Sequence, residues 1–232
     1  MPVYALPEEA IFPPVSEAEP NGLLAVGGDL SVGRLLAAYG AGIFPWFSQG
    51  DPYLWWSPDP RLILTPQGLH LSRSLKKILR KNPFVLTFDC AFDRVIRQCA
   101  EAKRGPEQGG GTWITEEMIT AYTSLHRLGY AHSVEAWVLE ESGPVLVGGT
   151  YGIAWWGCFF GESMFHLRPD ASKVAFVFLV EHLQQRGIGL IDCQMKTDHL
   201  LRFGAWEVPR SEFIQRLKQQ RQQVRIIPGL WR

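Results

Sequence analysis

The sequence predicts an α+β fold, and the order of its hydrophobic segments carries that prediction. Strand-like runs rich in hydrophobic residues follow one another at residues 132–140, 144–154 and 155–165. A strongly apolar helix comes next, and then a short buried strand at residues 189–194. Successive strands followed by a buried helix and a further strand are typical of a mostly antiparallel sheet with helices packed on it.

The first 60 residues have a different texture from the rest of the chain. Glycine, proline and aromatic residues are frequent there, so regular elements should be short, apart from one helix at residues 31–39 with Ser31 as its N-cap. Further helices are expected at residues 71–81, 91–102, 115–128, 172–186 with Ser172 as N-cap, 197–203 and 211–223. The change near Leu62 predicts a small N-terminal domain, residues 1–62, and a larger domain, residues 63–232.

Composition excludes several classes of protein. The chain has 232 residues, 46% of them hydrophobic and 12% aromatic, which is enough for a folded core rather than disorder. The longest apolar stretch, at residues 174–180, is far shorter than the roughly 20 residues of a membrane span. The N-terminus carries acids and prolines where a signal peptide needs basic and then apolar residues. Four cysteines without a CxxC pair, and six histidines without HxxxH or HExxH spacing, predict reduced thiols and no local metal site. We expect a cytosolic protein.

The formal net charge of zero conceals an uneven distribution. Residues 1–60 contain one basic and seven acidic residues, whereas residues 61–104 contain ten basic and three acidic residues. Part of the basic block lies on one face of the helix at residues 71–81, namely Arg73, Lys76, Lys77, Arg80 and Lys81. Such a local positive field can contact a polyanion, and the simpler alternative is a solvated helix face.

Three polar residues in apolar surroundings are candidates for chemistry. Asp192 and Gln194 alternate along one strand, so their side chains are expected on one face and within hydrogen-bond reach of each other. Glu162 lies in another apolar strand, where a carboxylate needs a partner. Cys193 is expected to face the other way, which argues against a thiol nucleophile. Each polar residue could instead be a satisfied structural group.

Two further motifs need interpretation. Trp46, Trp55, Trp56 and Trp113 lie in Gly/Pro-rich segments, where they could stack on nucleotide bases or pack into a small core. Residues 184–189, QQRGIG, fit a pyrophosphate-binding pattern of acetyl-CoA-dependent acetyltransferases. That pattern must precede a helix for its N–H groups to face the anion, whereas here it follows one, which favours a C-capping turn.

Longer motifs taken together resemble those of a known family. They are GLLAVGGDL, YGAGIFPWF, WWSPDPR, GTWITEEMITAYTSLHRLGYAHSVEAW, LVGGTYG, FGESMF, ASK, LIDCQ and DHL…FGA, in this order along nearly the whole chain. The sequence resembles the leucyl/phenylalanyl-tRNA–protein transferases. The resemblance implies a small N-terminal α/β domain and a C-terminal acetyltransferase-like (GNAT) domain that uses no coenzyme A. It also implies transfer of Leu or Phe, and weakly Met, from aminoacyl-tRNA to proteins that begin with Arg or Lys, which marks them for degradation.

The same resemblance implies roles for individual residues, with no cofactor, no metal and no membrane, in a cytoplasmic monomer. The reacting centre would comprise Glu162, Asp192 and Gln194, with Asp192 orienting the amine or taking its proton, directly or through Gln194. Trp46 and Trp113 would bracket the terminal adenosine, with Tyr39 and Tyr122 lining the acceptor end. The amino-acid side chain would enter an apolar pocket of Met164, Phe176, Leu179, Leu183 and Ile191. The tRNA stem would contact Arg73, Lys77, Arg80 and Lys81.

One position departs from the family pattern, and two other classes of protein compete with this interpretation. Thr150 stands where a bulkier pocket residue is expected, so the volume of the pocket is left open. An acetyl-CoA-dependent N-acetyltransferase would share the fold, and a glycine-rich loop before the long helix would favour it. A non-catalytic RNA-binding module would share the basic helix and the tryptophans, but it has no need for Asp192 and Gln194.

Overall fold

Two β-sheets organise the molecule. The structure, a computed structural model, describes residues 3–102, 112–223 and 228–231. One sheet has four strands and the other has seven, and helices lie against both. The α+β class predicted from the sequence is confirmed.

The smaller sheet uses only residues from the N-terminal part of the chain. Its strands are β1 (Tyr4–Ala5), β2 (Leu23–Val26), β3 (Phe44–Pro45) and β4 (Leu54–Trp56), in the order β1-β2-β4-β3. Helix α1 (Val32–Gly40) lies between β2 and β3 in sequence, and the Ser31 hydroxyl accepts the N–H of Arg34 at 3.4 Å. The predicted helix and its cap are therefore confirmed, while these short strands were not individually predicted.

The larger sheet contains the candidate site. Its strands are β5 (Arg61–Leu64), β6 (Val85–Phe88), β7 (Ala131–Glu140), β8 (Gly143–Trp155), β9 (Cys158–His166), β10 (Leu190–Gln194) and β11 (Trp206–Val208). Their order is β11-β5-β10-β9-β8-β7-β6, and β9 and β10 are parallel whereas their other pairings are antiparallel. The pairing of β9 with β10 ends at Phe160 and Asp192, before either strand ends.

Helices cover both faces of the larger sheet. The remaining ones are α2 (Arg73–Lys81), α3 (Phe92–Glu101), α4 (Glu116–Arg127), α5 (Ala171–Gln185), α6 (Asp198–Arg202) and α7 (Arg210–Gln223). All six agree with the predicted helices within a few residues. The predicted N-cap of α5 is wrong, because the cap is Asp170, and Ser172 is buried inside the first turn. The helix begins early because its first turn packs directly on β8, where a Cβ at Gly148 would lie 2.5 Å from that of Ala171.

Alternation along the strands separates two hydrophobic cores. Ile63 belongs to the core shared with the small sheet, α1, α3, α4 and α7, whereas its neighbours Leu62 and Leu64 belong to the core shared with α2 and α5. The same alternation places Leu190 in the first core and Ile191 in the second. Side chains from both cores, on opposite faces of the larger sheet, therefore lie near the end of β10.

The glycine-rich segment after α5 is a helix terminus. Gly187 has a φ of +73°, its N–H donates to the Gln184 carbonyl at 3.1 Å, and the N–H of Ile188 donates to the Leu183 carbonyl at 2.9 Å. These are the two bonds of a C-capping turn. The interpretation of QQRGIG as a cap is confirmed. No helix in the described ranges has the length and apolarity needed to cross a bilayer.

Candidate active site

A cavity of about 790 Å³ lies beside the point where the pairing of β9 with β10 ends. Its wall is mainly apolar, and it brings residues of the small sheet together with residues of β8, β9, β10, α5 and α6. Of the residues predicted for the site, the wall contains Trp46, Trp113, Glu162, Met164, Phe176, Leu179, Ile191 and Gln194. The fold therefore gathers eight of the predicted residues around one space.

Glu162 is the hydrogen-bonding centre of this cavity. Its Oε1 accepts the Tyr39 hydroxyl at 2.7 Å and the Gln194 Nε2 at 3.1 Å, and its Oε2 accepts the Tyr122 hydroxyl at 3.1 Å. The two tyrosine hydroxyls also contact each other. Every direct partner of the carboxylate given by these contacts is a neutral donor, so no positive charge offsets the loss of water around it.

Burial raises the pKa of Glu162 from 4.5 to about 7, although the Tyr39, Tyr122 and Gln194 hydrogen bonds oppose the rise. Burial also raises the pKa of Tyr39 and of Tyr122, so both phenols keep their protons. Three oxygen contacts link Glu162, Tyr39 and Tyr122 in a ring, but the two phenols supply only two protons. A proton on Glu162 completes the ring, so this carboxyl is suited to accept one near neutral pH.

Asp192 has quite different surroundings. Its side chain is fully buried, and Arg61 donates to it through Nε at 2.8 Å and Nη2 at 2.6 Å. Its Oδ1 also accepts the backbone N–H of Gln194 at 2.9 Å. The expected hydrogen bond between the Asp192 and Gln194 side chains is therefore wrong. The strand register shifts after Asp192 and Gln194 has a φ of +61°, so the Gln194 amide points to Glu162 instead.

The two predicted tyrosines also differ from expectation. Tyr39 and Tyr122 are fully buried, and neither is part of the cavity wall. They offer no surface to a ligand in this structure, because their hydroxyls are turned towards Glu162. Their observed contact is with the carboxylate rather than with the space that a nucleotide could fill.

The apolar part of the wall agrees with the predicted pocket except at one residue. Met164, Phe176, Leu179 and Ile191 line the cavity, whereas Leu183 is fully buried in the core beneath α5 and does not. The residue is one helical turn beyond Leu179, which carries it past the end of the cavity. Thr150 lines the wall opposite Met164 in the β8–β9 register, and its hydroxyl donates to the Ser163 carbonyl at 3.0 Å.

The tryptophans fall into two groups. Trp46 lies at the mouth of the cavity with 36% of its surface exposed, and Trp56 supports it through an edge-on ring contact and a bond from its indole N–H to the Trp46 carbonyl at 2.6 Å. Trp55 instead is fully buried and donates to the Gly27 carbonyl. Trp113 lines the same cavity as Trp46. Of the two possibilities, base stacking and core packing, Trp55 therefore shows core packing.

The basic face of α2 is exposed along its length, including Arg73, Lys77, Arg80 and Lys81. Only Leu75 of this helix is fully buried, so the amphipathic pattern predicted there is confirmed. Other members of the basic block are engaged elsewhere. Arg61 is buried with Asp192, and Arg97 forms an ion pair with Glu116.

Sequence reasoning missed two residues that matter at this site, Arg61 and Glu101, and placed a third, Cys193, wrongly. Arg61 follows a proline and opens the apolar run RLIL, and a guanidinium in such a strand signals a buried partner. The expectation that Cys193 faces away from Gln194 is wrong, because both residues line the cavity. Burial raises the pKa of the Cys193 thiol, which remains protonated and a poor nucleophile. Glu101 lies exposed on the wall beside Gln98, whose Nε2 donates to it at 3.0 Å.

A mainly apolar cavity with a titratable carboxyl held by neutral donors suits an enzyme that places an activated acyl group against an amine. Comparison with known proteins identifies the class. The family described as leucyl/phenylalanyl-tRNA protein transferase matches residues 63–218, and the N-terminal domain of that family matches residues 28–59. The chain belongs to this family and is an aminoacyltransferase.

Individual relatives agree with the family assignment. A leucyl/phenylalanyl-tRNA–protein transferase of Syntrophotalea carbinolica is 59% identical over 218 residues, which cover 94% of this chain and 92% of the relative. One from Magnetococcus marinus is 56% identical over 233 residues, covering 100% of this chain and 97% of the relative. A solved structure of FemX aligns with a TM-score of 0.48 at 8% identity, covering 77% of this chain and 66% of the FemX chain.

Proposed function

We propose that the enzyme transfers Leu or Phe, and Met weakly, from aminoacyl-tRNA to the N-terminal Arg or Lys of acceptor proteins, which marks them for degradation. One observation carries the proposal: the same cavity joins an apolar wall, a carboxyl with a pKa near 7 and two tryptophans. The apolar wall receives the amino-acid side chain, the tryptophans receive the terminal adenosine, and the carboxyl meets the attacking amine.

The shape of the apolar wall favours side chains that are unbranched at Cβ. Leu and Phe both have a single carbon attached there, whereas Ile and Val have two. Phe176 and Leu179 from α5 and Ile191 from β10 converge on the cavity from neighbouring elements, which limits its width. Thr150 is smaller than a residue such as Met, so it leaves room for the ring of Phe.

Trp46 and Trp113 are the proposed stacking partners of the adenosine, since base stacking on an aromatic side chain contributes about 1–3 kcal/mol. The exposed cations of α2, Arg73, Lys77, Arg80 and Lys81, are the proposed contacts of the tRNA stem. Together these two surfaces would hold the charged tRNA with its ester inside the cavity.

The reaction is a direct attack of the acceptor α-amine on the aminoacyl ester, without a covalent enzyme intermediate or a cofactor. The ester is already activated, and the thiol in the cavity wall, Cys193, is protonated. Glu162 is the proposed proton acceptor, because a proton taken from the amine completes its ring with Tyr39 and Tyr122. Gln194 orients the carboxylate through its amide. Asp192 holds Gln194 in place by accepting its backbone N–H, and it exchanges no proton with the amine.

Recognition of a cationic acceptor needs a carboxylate that is both exposed and free to bind. Glu162 already accepts three hydrogen bonds, and Asp192 is enclosed with Arg61. Glu101 lies on the cavity wall, is exposed, and binds only the neutral amide of Gln98 among its described contacts. We assign it the Arg or Lys side chain of the acceptor.

The remaining parts of the proposal concern organisation. The strands of the small sheet all lie between Tyr4 and Trp56, which supports a separate N-terminal domain. Strand β5 of the larger sheet begins at Arg61, so the GNAT-like domain, predicted over residues 63–232, begins two residues earlier than predicted, and the N-terminal domain ends before residue 62. The parallel pairing of β9 with β10, which ends before either strand does, supports the GNAT-like assignment. The proposed enzyme acts as a monomer in the cytoplasm, where charged tRNA is available.

The decisive experiment is a transfer assay with purified enzyme, Phe-tRNA labelled in the amino acid, and a peptide that begins with Arg. We expect label in the peptide, slower transfer from Met-tRNA, and very poor transfer from Ile-tRNA. The matched acceptor has the same sequence with a blocked N-terminus and should receive none. No transfer to the free amine, or equal use of Ile and Leu, contradicts the proposal.

A further inference from the structure

A fully buried ion pair joins β5 to β10 next to the cavity. Arg61 in β5 and Asp192 in β10 are both inaccessible to solvent, and the guanidinium donates to both carboxylate oxygens, at 2.8 and 2.6 Å. The rings of Phe44 and Phe213 cover the guanidinium carbon at 4.8 and 4.6 Å. The arginine is thus fixed by two hydrogen bonds and two aromatic faces.

The ion pair is connected to the cavity through one backbone bond. Asp192 Oδ1 accepts the N–H of Gln194 at 2.9 Å, at the point where the strand register shifts. Gln194 is left-handed there, with a φ of +61°, a conformation that a non-glycine residue keeps only when its surroundings impose it. Its amide then donates to Glu162 Oε1 at 3.1 Å. A continuous path runs from Arg61 through Asp192 and Gln194 to Glu162.

The geometry of this path requires an arginine at its far end. A planar guanidinium fixes both oxygens of a carboxylate, whereas an ammonium is a point donor that can rotate about a single contact. Only a carboxylate held in one orientation can keep the Gln194 N–H in place. A lysine at position 61 would keep the charge but not that orientation.

We propose that Arg61 is a positioning residue for aminoacyl transfer, acting through Asp192 to hold the Gln194 amide against Glu162. This inference rests on the proposed function. It assigns part of the control over the reacting centre to Arg61 in β5, a strand of the larger sheet, although Arg61 lies outside the cavity wall.

The chain offers a matched control in Arg34. This arginine is also buried, and it donates to the carbonyls of Pro7, Glu8 and Glu9, far along the chain from the reacting centre, as well as to Asp29. Replacing Arg34 with lysine also removes a buried, hydrogen-bonded guanidinium, but it leaves the contacts from Arg61 through Asp192 to Gln194 unchanged. A purely structural role for Arg61 predicts that the two lysine variants behave alike.

The test compares Arg61→Lys with Arg34→Lys, each alone and combined with Gln194→Ala. Arg61→Lys should lower kcat by about 10- to 100-fold, since displacing a reacting group by about 1 Å can cost that much. Its KM for Phe-tRNA and for the Arg-starting peptide should stay within about twofold of wild type. In the Gln194→Ala background the same change should lower kcat by less than about twofold, because residues acting as one unit are not additive. Arg34→Lys should lower kcat by less than about twofold in either background.

Thermal unfolding monitors folding, and a second variant keeps the test decisive if Arg61→Lys fails to fold. Arg61→Met combined with Asp192→Leu replaces the ion pair with apolar groups of similar size, a change that folded proteins commonly tolerate. That folded variant should still show the low kcat. Wild-type kcat in it, or equal losses from Arg61→Lys with and without Gln194, overturns the inference. Failure of the wild-type enzyme to transfer any label overturns the proposed function instead.

Discussion

Glu162 and Asp192 lie on neighbouring strands of one sheet, yet their surroundings give them opposite properties. Asp192 is enclosed, and a guanidinium offsets its charge. Glu162 borders the cavity, and its partners are two phenols and an amide, which offset its charge only partly. Two carboxylates on neighbouring strands thus differ in the charge of their donors: one is fixed in a buried ion pair, and the other, held by neutral donors, has a raised pKa.

The largest expected effect is on the titratable member of the pair. Glu162→Gln should lower kcat by about 10²–10⁴, the usual contribution of a positioned acid–base group. In the wild type, kcat/KM should rise with pH through about 7 as the carboxyl ionises, since its pKa is raised to about 7. In Glu162→Gln the increase in kcat/KM near pH 7 should be absent. Only the increase caused by deprotonation of the acceptor amine, at about pH 7.7–8.0, should remain.

The assay is a pH series of initial transfer rates from about pH 5.5 to 9. Glu117→Gln is the control, because Glu117 binds the exposed hydroxyl of Tyr53 and lies outside the cavity wall. Near-wild-type turnover by Glu162→Gln at neutral pH would show that the carboxyl does not take the proton.

Loss of the fixed member of the pair should, besides lowering kcat, reduce stability. Asp192→Asn leaves the Arg61 guanidinium buried without its counter-charge, and breaking a buried pair in this way costs about 3–5 kcal/mol. Asp29→Asn is the control, because Asp29 pairs with the buried Arg34 but is itself 52% exposed, so its loss should cost no more than about 1 kcal/mol. Urea unfolding at pH 7 measures both. Equal free energies of unfolding for the two variants would mean that enclosure does not distinguish these pairs.

The two carboxylates also show what sequence can and cannot predict. Helix α2 was predicted because its apolar residues recur on one face, and α5 was predicted because it is a long apolar segment that is buried on most sides. The short strands of the N-terminal sheet were not, since runs of two to four residues carry no detectable period. Asp192, Gln194 and Glu162 were recognised as a group, but their partners were not. Those partners depend on a register shift and a left-handed residue, which pairwise spacing along an ideal strand cannot anticipate.

A smaller effect concerns the pH dependence of folding. The pKa of Glu162 is about 7 in the folded protein against a usual value of 4.5, so the folded state binds the proton more tightly. The resulting stabilisation is fully present below about pH 4.5 and is lost as the pH rises through about 7. Glu162→Gln cannot ionise, so its free energy of unfolding relative to wild type should increase by about 1–3 kcal/mol between pH 5 and pH 8. Urea titrations of both proteins at the two pH values measure this difference, and a difference that stays constant contradicts the raised pKa.

The smallest effect is expected at Glu101, which is neither buried in an ion pair like Asp192 nor hydrogen-bonded to tyrosines like Glu162. Glu101 is exposed on the cavity wall, and exposed ion pairs contribute only about 0.2–1 kcal/mol, so the loss of its charge should change kcat/KM by about five-fold at most. An effect of that size is best isolated by varying the charge on both the enzyme and the peptide.

The assay compares wild type and Glu101→Gln with peptides that begin either with Arg or with citrulline, the neutral analogue of Arg. Wild type should prefer Arg, and Glu101→Gln should lose most of that preference while its KM for Phe-tRNA stays unchanged. Glu117→Gln should keep the wild-type ratio, and about 0.5 M salt should weaken the preference of wild type, because salt screens exposed charges. An unchanged preference for Arg over citrulline in Glu101→Gln would remove Glu101 from acceptor recognition.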